Sequence, residues 1–138
     1  MRYLIDTNIF LFYAFDNCFL NNDTRDILTD YENIIYISSE SVKETIHLFQ
    51  TGRIKTKKWK MAADIIGFIE RESDFLIDYV RKEHLQTFAG LEIITNHNDP
   101  SDRLIIAQAI TERMPLISSD RIFAEYRRQG LQFIYNKK

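Results

Sequence analysis

The chain begins with residues 1–10, MRYLIDTNIF, and this stretch decides the fold. Residues 3–5 form a short apolar run, which is typical of a buried strand, and the longer apolar run 9–15 predicts a helix. Asp6 lies between them, where the strand ends. In an open sheet of parallel strands, ligands bind in the crevice beyond the carboxyl ends of the strands. We therefore expect Asp6 to face a ligand site, and we expect further acids at the ends of later strands.

Composition and charge restrict the class of protein. The chain has 138 residues, of which 45% are hydrophobic, and this length suits one domain over residues 1–138. The formal net charge is −2, so a polyanion would have to be held by a local basic patch or by bound cations. Cys18 is the only cysteine, which excludes an internal disulfide and a cysteine-based zinc site. No signal peptide or membrane span is expected, and we expect a cytoplasmic protein.

Short apolar runs alternate with longer helical patterns along the chain. This alternation predicts an α/β fold in which parallel strands are joined by right-handed helical crossovers. The predicted strands are residues 2–5, 34–37, 75–77, 116–118 and 132–134, and the predicted helices are residues 7–15, 23–31, 41–50, 58–70, 82–89, 100–112 and 122–129.

Local signals support several helix ends. Asp99 before Pro100 is typical of a helix start, because proline lacks the amide hydrogen that would otherwise need a partner there. Residues 41–44, SVKE, match the capping-box pattern, in which the serine and the glutamate each bond an amide at the helix start. Gly52 and Gly130 each follow a helical pattern and suit the left-handed conformation that ends many helices.

Acidic residues recur where the predicted strands end. Asp6 and Asp120 follow strands, and Glu44 lies in the first turns of the helix after the second strand. Asp99 and Asp102 open one helix, three positions apart and therefore on one side of it. Each acid alone has a simpler explanation as a helix cap or as a first-turn acid favoured by the helix dipole. Together they predict a shared site, provided that the helix of the last two starts at the same edge of the sheet.

Carboxylates gathered in one cleft predict a metal site. Like charges there repel and raise each other's pKa unless a cation compensates them. Oxygen ligands of this kind suit Mg²⁺ or Mn²⁺. Such ions catalyse phosphoryl transfer by activating water and stabilising the leaving oxygen. The acids therefore point to metal-dependent phosphoryl-transfer chemistry.

Four sequence motifs contain these acids. Residues 5–8 read IDTN, residues 38–44 read SSESVKE, residues 96–109 read NHNDPSDRLIIAQA and residues 116–120 read LISSD. In this order they resemble the motifs of PIN-domain ribonucleases. The long segment is similar to the HxDPFDRLLIAQA segment of the VapC-like toxin branch and is the most specific of the four. One departure is Ser101, which stands where that branch has an aromatic residue.

The resemblance implies both a fold and a function. The fold would be a PIN-like three-layer α/β arrangement, with a central parallel sheet of about five strands in the order 3-2-1-4-5 and helices on both faces. The function would be that of a Mg²⁺- or Mn²⁺-dependent endoribonuclease, the toxin of a toxin–antitoxin pair. Its partners would be an RNA substrate, an antitoxin protein and a second copy of the chain in a homodimer.

The resemblance also assigns roles to residues by position. Asp99 is the additional acid of the branch and would lie close to the metal, whereas His97 would serve the loop conformation. Separately from the resemblance, Arg103 is a basic residue inside the long motif, and we expect it to pair with an acid when no metal is bound. The catalytic and metal-binding acids would be Asp6, Glu44, Asp102 and Asp120. The polar residues that orient these carboxylates by hydrogen bonds would be Thr7, Asn8 and Ser118.

One basic segment, residues 53–60, suits contact with nucleic-acid phosphates. It reads RIKTKKWK and offers Trp59 for stacking on a base. The alternative is a solvated helix start with Trp59 folded onto the core. The predicted RNA contacts are Arg53, Lys55, Lys57 and Lys58.

The aromatic first helix leaves two interpretations open. Phe10, Phe12, Tyr13 and Phe15 point in more than one direction, so one face meets the sheet. The other face meets either a partner chain or neighbouring elements of the same chain.

Other protein classes fit the sequence less well. A non-catalytic module, such as a Mg²⁺-binding receiver-like signalling or protein-binding domain, also places acids at strand ends. A receiver needs paired acids after the first strand and a lysine near the position of Asp120. A haloacid-dehalogenase-like phosphatase needs a second aspartate two positions after Asp6, where Asn8 stands.

Overall fold

The computed structural model describes residues 1–138 and contains one sheet of five strands. The strands are β1 Arg2–Ile5, β2 Ile34–Ser38, β3 Leu76–Asp78, β4 Leu116–Ser118 and β5 Phe133–Tyr135. Their order is β3-β2-β1-β4-β5, and every neighbouring pair is parallel. The predicted α/β fold with strand order 3-2-1-4-5 is therefore confirmed.

Helical elements connect the strands. The α-helices are α1 Thr7–Phe15, α2 Asn22–Thr29, α3 Ser39–Gln50, α4 Ala63–Gly67, α5 Lys82–Gly90 and α6 Pro100–Glu112. There are also two 3₁₀ helices, Asn17–Phe19 and Arg121–Gln129, and one π-helical turn, Phe68–Glu72. None of the helices combines the length and the apolar character that crossing a membrane requires.

Each face of the sheet carries its own hydrophobic core. Successive residues of a strand point to opposite faces. Ile5 accordingly packs in one core with residues of α1, α3 and α4, and Leu4 packs in the other with residues of α6 and the 3₁₀ helix Arg121–Gln129. Both side chains are fully buried. The result is three layers, with the parallel sheet covered on both faces.

The aromatic helix α1 packs one face against other elements of the same chain. The Phe10 ring is fully buried, with its centroid 6.0 Å from that of Phe68. Phe15 packs edge-on against Trp59 at 5.1 Å. Trp59 is only 3% exposed, so it is not available for stacking on a base. That expectation was wrong, and the alternative in which Trp59 is folded onto the core is the one observed, whereas Phe12, Tyr13 and Phe15 of α1 are half-buried.

The helix predicted over residues 58–70 is much shorter in the structure. It begins at Ala63, because the Asp64 carboxylate accepts the amide hydrogens of Lys60 and Met61 at 2.8 and 3.1 Å and closes a turn before it. The end of the predicted range falls in the π-helical turn Phe68–Glu72, which follows α4. The regular helical pattern of the sequence does not reveal this side-chain contact.

The capping box predicted at residues 41–44 does not form. Helix α3 begins two residues earlier, at Ser39, because the Ser38 hydroxyl oxygen accepts the amide hydrogen of Glu40 at 2.9 Å. Glu44 therefore does not cap the start of α3 and lies in the second turn of this helix.

Other predicted boundaries are confirmed or shifted slightly. Gly52 and Gly130 have positive φ angles of 78° and 101°, and Asp99 caps α6 by accepting the amide hydrogens of Ser101 and Asp102. The helix predicted at 23–31 is Asn22–Thr29, and the helix predicted at 122–129 is the 3₁₀ helix Arg121–Gln129. The strands predicted at 75–77 and 132–134 lie one residue later, and the strand predicted at 34–37 and the helix predicted at 82–89 each extend one residue further.

The amino ends of α1, α3 and α6 meet at the carboxyl edge of the sheet. Helix α1 follows β1 after Asp6 alone, and α3 follows β2 directly. Helix α6 approaches α3 where the Ser101 hydroxyl lies 3.4 Å from Glu40 Oε2. The condition for the acids to share one site, that α6 starts at this edge, is therefore met.

Candidate metal centre

Asp6 is the most deeply buried acid at this edge. It is 4% exposed and caps α1, with Oδ1 accepting the amide hydrogen of Thr7 at 2.8 Å. Because β4 pairs with β1, the Ser118 hydroxyl reaches Asp6 Oδ2 and donates to it at 2.7 Å. Burial and the negative charge of Asp102 raise the pKa of Asp6 from 3.8 to about 7, although the hydrogen bonds from Ser118 and Thr7 favour the carboxylate.

Glu44 reaches the same cleft from the second turn of α3. The Thr7 hydroxyl donates to Glu44 Oε1 at 2.9 Å, and its oxygen also lies 2.9 Å from Ser41 Oγ. Burial raises the pKa of Glu44, the charges of Asp99 and Glu40 raise it further, and the hydrogen bond from Thr7 lowers it. Thr7 thus connects the start of α1 with the acid on α3.

Asp102 lies in the first turn of α6. Burial raises its pKa from 3.8 to about 7, and the charges of Asp99, Glu44 and Asp120 contribute in that order. Its Oδ2 lies 3.2 Å from His97 Nε2. Since acids from two other elements act on its pKa, Asp102 lies close to all of them.

Asp120 joins the group from the loop after β4. Its amide hydrogen is donated to the Ser118 hydroxyl oxygen at 3.0 Å, and its Oδ1 caps the next helix by accepting the amide hydrogen of Ile122 at 3.1 Å. One ligand atom from each of His97, Asp102 and Asp120 lies within 4.8 Å of the others. We call Asp6, Glu44, Asp102 and Asp120 the acid cluster.

The three polar residues predicted to orient the carboxylates lie beside the acid cluster and make different contacts. Ser118 and Thr7 each donate a hydroxyl hydrogen to a carboxylate of the cluster. Asn8 instead accepts the amide hydrogen of Ser119 through Oδ1, at a long 3.5 Å. Asn8 therefore holds the backbone beside Asp120 rather than a carboxylate.

No lysine or arginine forms an ion pair with the acid cluster. Arg103, which was expected to pair with an acid here, lies over the Phe88 ring at 4.8 Å and donates to the Leu91 carbonyl oxygen at 3.5 Å. That expectation was wrong, because the guanidinium packs on α5 instead. Apart from Lys43, whose charge lowers the pKa of Glu44, no cationic side chain compensates the repulsion between the carboxylates, and a divalent cation fits such a setting.

A second group of acids and histidine, Asp78, His84 and Glu112, also has ligand atoms within 4.8 Å of one another. His84 Nδ1 accepts the amide hydrogen of Arg81 at 2.9 Å, so the ring hydrogen is on Nε2, 2.9 Å from Glu112 Oε1. The Arg81 guanidinium pairs with both acids. His84 Nε2 carries a hydrogen and cannot bind a metal, and the Arg81 guanidinium already compensates both acids. We therefore interpret this group as a contact between α5 and α6 and not as a metal centre.

The acid cluster lies at the carboxyl edge of the sheet, and its side chains differ in their exposure. Its members range from the buried Asp6 through the half-buried Glu44 and Asp102 to the exposed Asp120. The largest cavity of the chain, about 580 Å³, has mostly apolar walls and lies at the opposite edge, where Ile34 begins β2.

The basic segment lies at the far end of α1 from the acid cluster. The Lys58 ammonium donates to the Ala14 carbonyl oxygen at 2.8 Å and lies 5.0 Å from the centre of the Phe68 ring. At about 1.5 Å of rise per residue, Ala14 is roughly 12 Å along α1 from Asp6. The other three predicted RNA contacts are exposed side chains: Arg53, Lys55 and Lys57.

A family model described as "PIN domain" matches residues 3–129, a range that includes every acid of the cluster. The chain belongs to the PIN domain family. No curated protein matches this PIN domain by sequence.

Solved structures similar to this PIN domain are VapBC proteins. VapBC2 from Rickettsia felis, bound to a DNA fragment from its promoter, gives a TM-score of 0.69 at 21% identity, with 98% of each chain covered. VapBC-1 from nontypeable Haemophilus influenzae gives 0.63 at 16% identity, again with 98% of each chain covered. VapBC-5 from Mycobacterium tuberculosis, of the VapBC family of toxin–antitoxin systems, gives 0.58 at 14% identity and covers 99% of this chain and 98% of that chain. The fold is that of a VapC-like PIN domain.

His97 has a contact in this site that the sequence did not predict. We expected it to serve only the loop conformation, but it bridges Asp102 and the Tyr126 hydroxyl at 3.2 and 2.6 Å. His97 and Asp102 lie five positions apart in one sequence motif, so their proximity could have been inferred from the sequence. Tyr126 lies 29 positions further along, and only the tertiary fold brings it to the histidine.

The raised pKa of Asp6 predicts how the stability of the metal-free protein depends on pH. Between its ordinary pKa of 3.8 and its folded-state pKa of about 7, the native state binds a proton that the unfolded state has released. The contribution of Asp6 to the free energy of unfolding is thus fully present below the lower value and is lost as pH rises through the higher one. Urea unfolding in EDTA should show Asp6→Asn gaining stability, relative to the wild type, as pH rises through this window.

Asp16→Asn is the matched control for this titration. Asp16 is exposed at the end of α1, so its variant should keep the pH dependence of the wild type. An Asp6→Asn variant whose stability follows the wild-type pH dependence would contradict the raised pKa.

Proposed function

We propose that this PIN domain is a Mg²⁺- or Mn²⁺-dependent endoribonuclease that hydrolyses RNA phosphodiester bonds. The observation that carries the proposal is the acid cluster, whose carboxylates come from four elements and have no lysine or arginine partner. Carboxylates in this arrangement are ligands that Mg²⁺ and Mn²⁺ prefer. The proposed catalytic and metal-binding acids are Asp6, Glu44, Asp102 and Asp120, with Asp99 close to the ion.

The side chains around the acids prepare the cluster for this reaction. When bound, a divalent cation activates water and stabilises negative charge on the phosphate and leaving oxygens. Ser118 and Thr7 each hold one oxygen of a carboxylate and thereby fix its orientation. Glu44 and Asp102 are half-buried and Asp120 is exposed, so a phosphate of an RNA strand would reach them from solvent.

We also propose that the basic segment contacts the RNA backbone away from the scissile phosphate. Its exposed side chains lie beyond the far end of α1, so they would bind phosphates further along the strand. Lys58 fastens the segment to α1, because its ammonium donates a hydrogen bond to the Ala14 carbonyl oxygen. The residues proposed to bind phosphate directly are Arg53, Lys55 and Lys57.

We propose further that the chain is the toxin of a type II toxin–antitoxin system. The support is its fold similarity to VapBC proteins, among them VapBC-5 of the VapBC family of toxin–antitoxin systems. Its partners would then be an antitoxin protein and a second copy of the chain, and its RNA target would be cytoplasmic. Growth arrest on expression, relieved by co-expression of a neighbouring small reading frame, tests the partner. Light scattering tests the dimer against the 16.4 kDa chain.

Purified protein should cleave a fluorescent RNA in Mn²⁺ or Mg²⁺ and leave it intact in EDTA. Asp6→Asn and Asp102→Asn should each slow cleavage by on the order of 100-fold or more, because each variant removes a carboxylate of the proposed metal site. Gel electrophoresis of the products under single-turnover conditions measures the rate. Asp16→Asn, an exposed acid outside the cluster, should cleave at the wild-type rate. Equal cleavage by the wild type and by both cluster variants would overturn the assignment of these residues.

Removing charge from the basic segment should weaken RNA binding in a salt-dependent way. In EDTA, where RNA stays intact, Lys55→Ala with Lys57→Ala should reduce the slope of log Kd against log salt by about 0.7 for each lost phosphate contact. The charge-matched control replaces Lys82 and Lys137, two exposed lysines outside the segment, and should keep the wild-type slope. Fluorescence anisotropy at several salt concentrations provides the comparison. Identical slopes for the two double variants would exclude the basic segment from the RNA interface.

A further inference from the structure

A chain of hydrogen bonds runs from Asp102 into the hydrophobic core. His97 Nε2 lies 3.2 Å from Asp102 Oδ2, and His97 Nδ1 lies 2.6 Å from the Tyr126 hydroxyl. His97 is 7% exposed and Tyr126 is fully buried, so water does not compete for these contacts. An acid of the proposed metal site is therefore linked, through an imidazole, to a tyrosine of the core.

The direction of each hydrogen bond follows from the charge of Asp102. As a metal ligand Asp102 would be ionised, and a carboxylate only accepts hydrogen bonds, so His97 Nε2 would carry a hydrogen and donate it to Asp102. Nδ1 of the neutral ring then has a free lone pair and accepts the hydroxyl hydrogen of Tyr126. With its hydrogen on Nε2, His97 is not a metal ligand here. It is a donor that holds one oxygen of Asp102.

The His97 ring is fixed in its orientation from several sides. It packs edge-on against Tyr126 and Phe123, with ring centroids 5.4 and 5.8 Å away. Asn96 before it has a φ of 68°, a left-handed conformation that asparagine tolerates. The amide hydrogen of His97 is donated to the Ile94 carbonyl oxygen at 2.9 Å and closes the turn. The donor that Asp102 meets is therefore preorganised by the loop before α6 and by the core.

We propose that His97, held by Tyr126, is a positioning residue that orients the Asp102 carboxylate for the divalent cation. By binding one oxygen, it limits rotation of the carboxylate and leaves the other oxygen for the ion. The inference rests on the proposed function, since it concerns the same acid cluster. Hydrogen-bond partners of metal-binding side chains typically affect metal affinity by about 10- to 100-fold.

The test measures Mn²⁺ affinity by isothermal titration calorimetry, alongside RNA cleavage. His97→Ala should weaken Mn²⁺ binding by about 10-fold or more. His97→Gln keeps an N–H donor for Asp102 and should retain most of the affinity. Tyr126→Phe keeps the ring and removes only the hydroxyl, so its affinity should fall between that of the wild type and that of His97→Ala. Circular dichroism tests whether each variant is folded.

His84→Gln separates positioning from a general loss of stability. His84 is also fully buried and bonded to an acid, but it belongs to the contact between α5 and α6. Its variant should bind Mn²⁺ as tightly as the wild type even where its Tm falls. Wild-type affinity in both His97→Ala and Tyr126→Phe would overturn the inference, and if His97→Ala does not fold, Tyr126→Phe decides it.

The same measurements distinguish the inference from the proposed function. A wild type that binds Mn²⁺ but cleaves no RNA would overturn the proposed function alone, and the variant affinities would still decide the inference. A wild type that cleaves RNA while all variants bind Mn²⁺ equally would overturn the inference alone. A wild type that binds no Mn²⁺ would overturn both.

Discussion

Asp6 loses nearly all of its contact with water when it caps α1 at the carboxyl edge of the sheet. A buried carboxylate is costly unless hydrogen bonds or an opposite charge compensate it. Two hydrogen bonds, from Thr7 and Ser118, provide part of this compensation, yet the pKa is still raised to about 7. The remaining acids of the cluster add to the repulsion instead of relieving it. The folded chain therefore gathers carboxylates that either bind protons near neutral pH or are compensated by a ligand of opposite charge.

The strand order explains why the acids meet. From β1 the chain proceeds to β2 and β3 on one side, and the later strands β4 and β5 lie on the other side. The crevice of an open parallel sheet lies at such a reversal, beyond the carboxyl ends of the strands. Ser118 at the end of β4 and Glu44 on the helix after β2 therefore both lie close to Asp6, the residue that follows the central strand β1. The topology, together with the direct β1–α1 connection, builds the site.

Much of this arrangement was predictable, because it depends on local patterns. The bounds of β1, α1, α6 and β4 agree with the predictions, since each has clear apolar periodicity or a capping acid. The start of α3 was misplaced because two serines of one motif suit a capping pattern, and Ser38 rather than Ser41 forms the cap. The burial of Trp59 among lysines and the contact of His97 with Tyr126 depend on residues distant in sequence. Side-chain contacts between distant elements leave no periodic signal, so the sequence alone does not reveal them.

Proton release on metal binding tests most directly whether the acid cluster holds a divalent cation. Two of its acids have a pKa of about 7, so in mildly acidic solution the metal-free cluster carries protons that a cation must displace. Calorimetric titration of Mn²⁺ in buffers of different ionisation enthalpy gives the number of protons released per ion. We expect about one proton or more at roughly pH 6.5 and clearly fewer at roughly pH 8.5. Mn²⁺ binding without proton release at the lower pH, or no binding at all, would contradict this interpretation of the cluster.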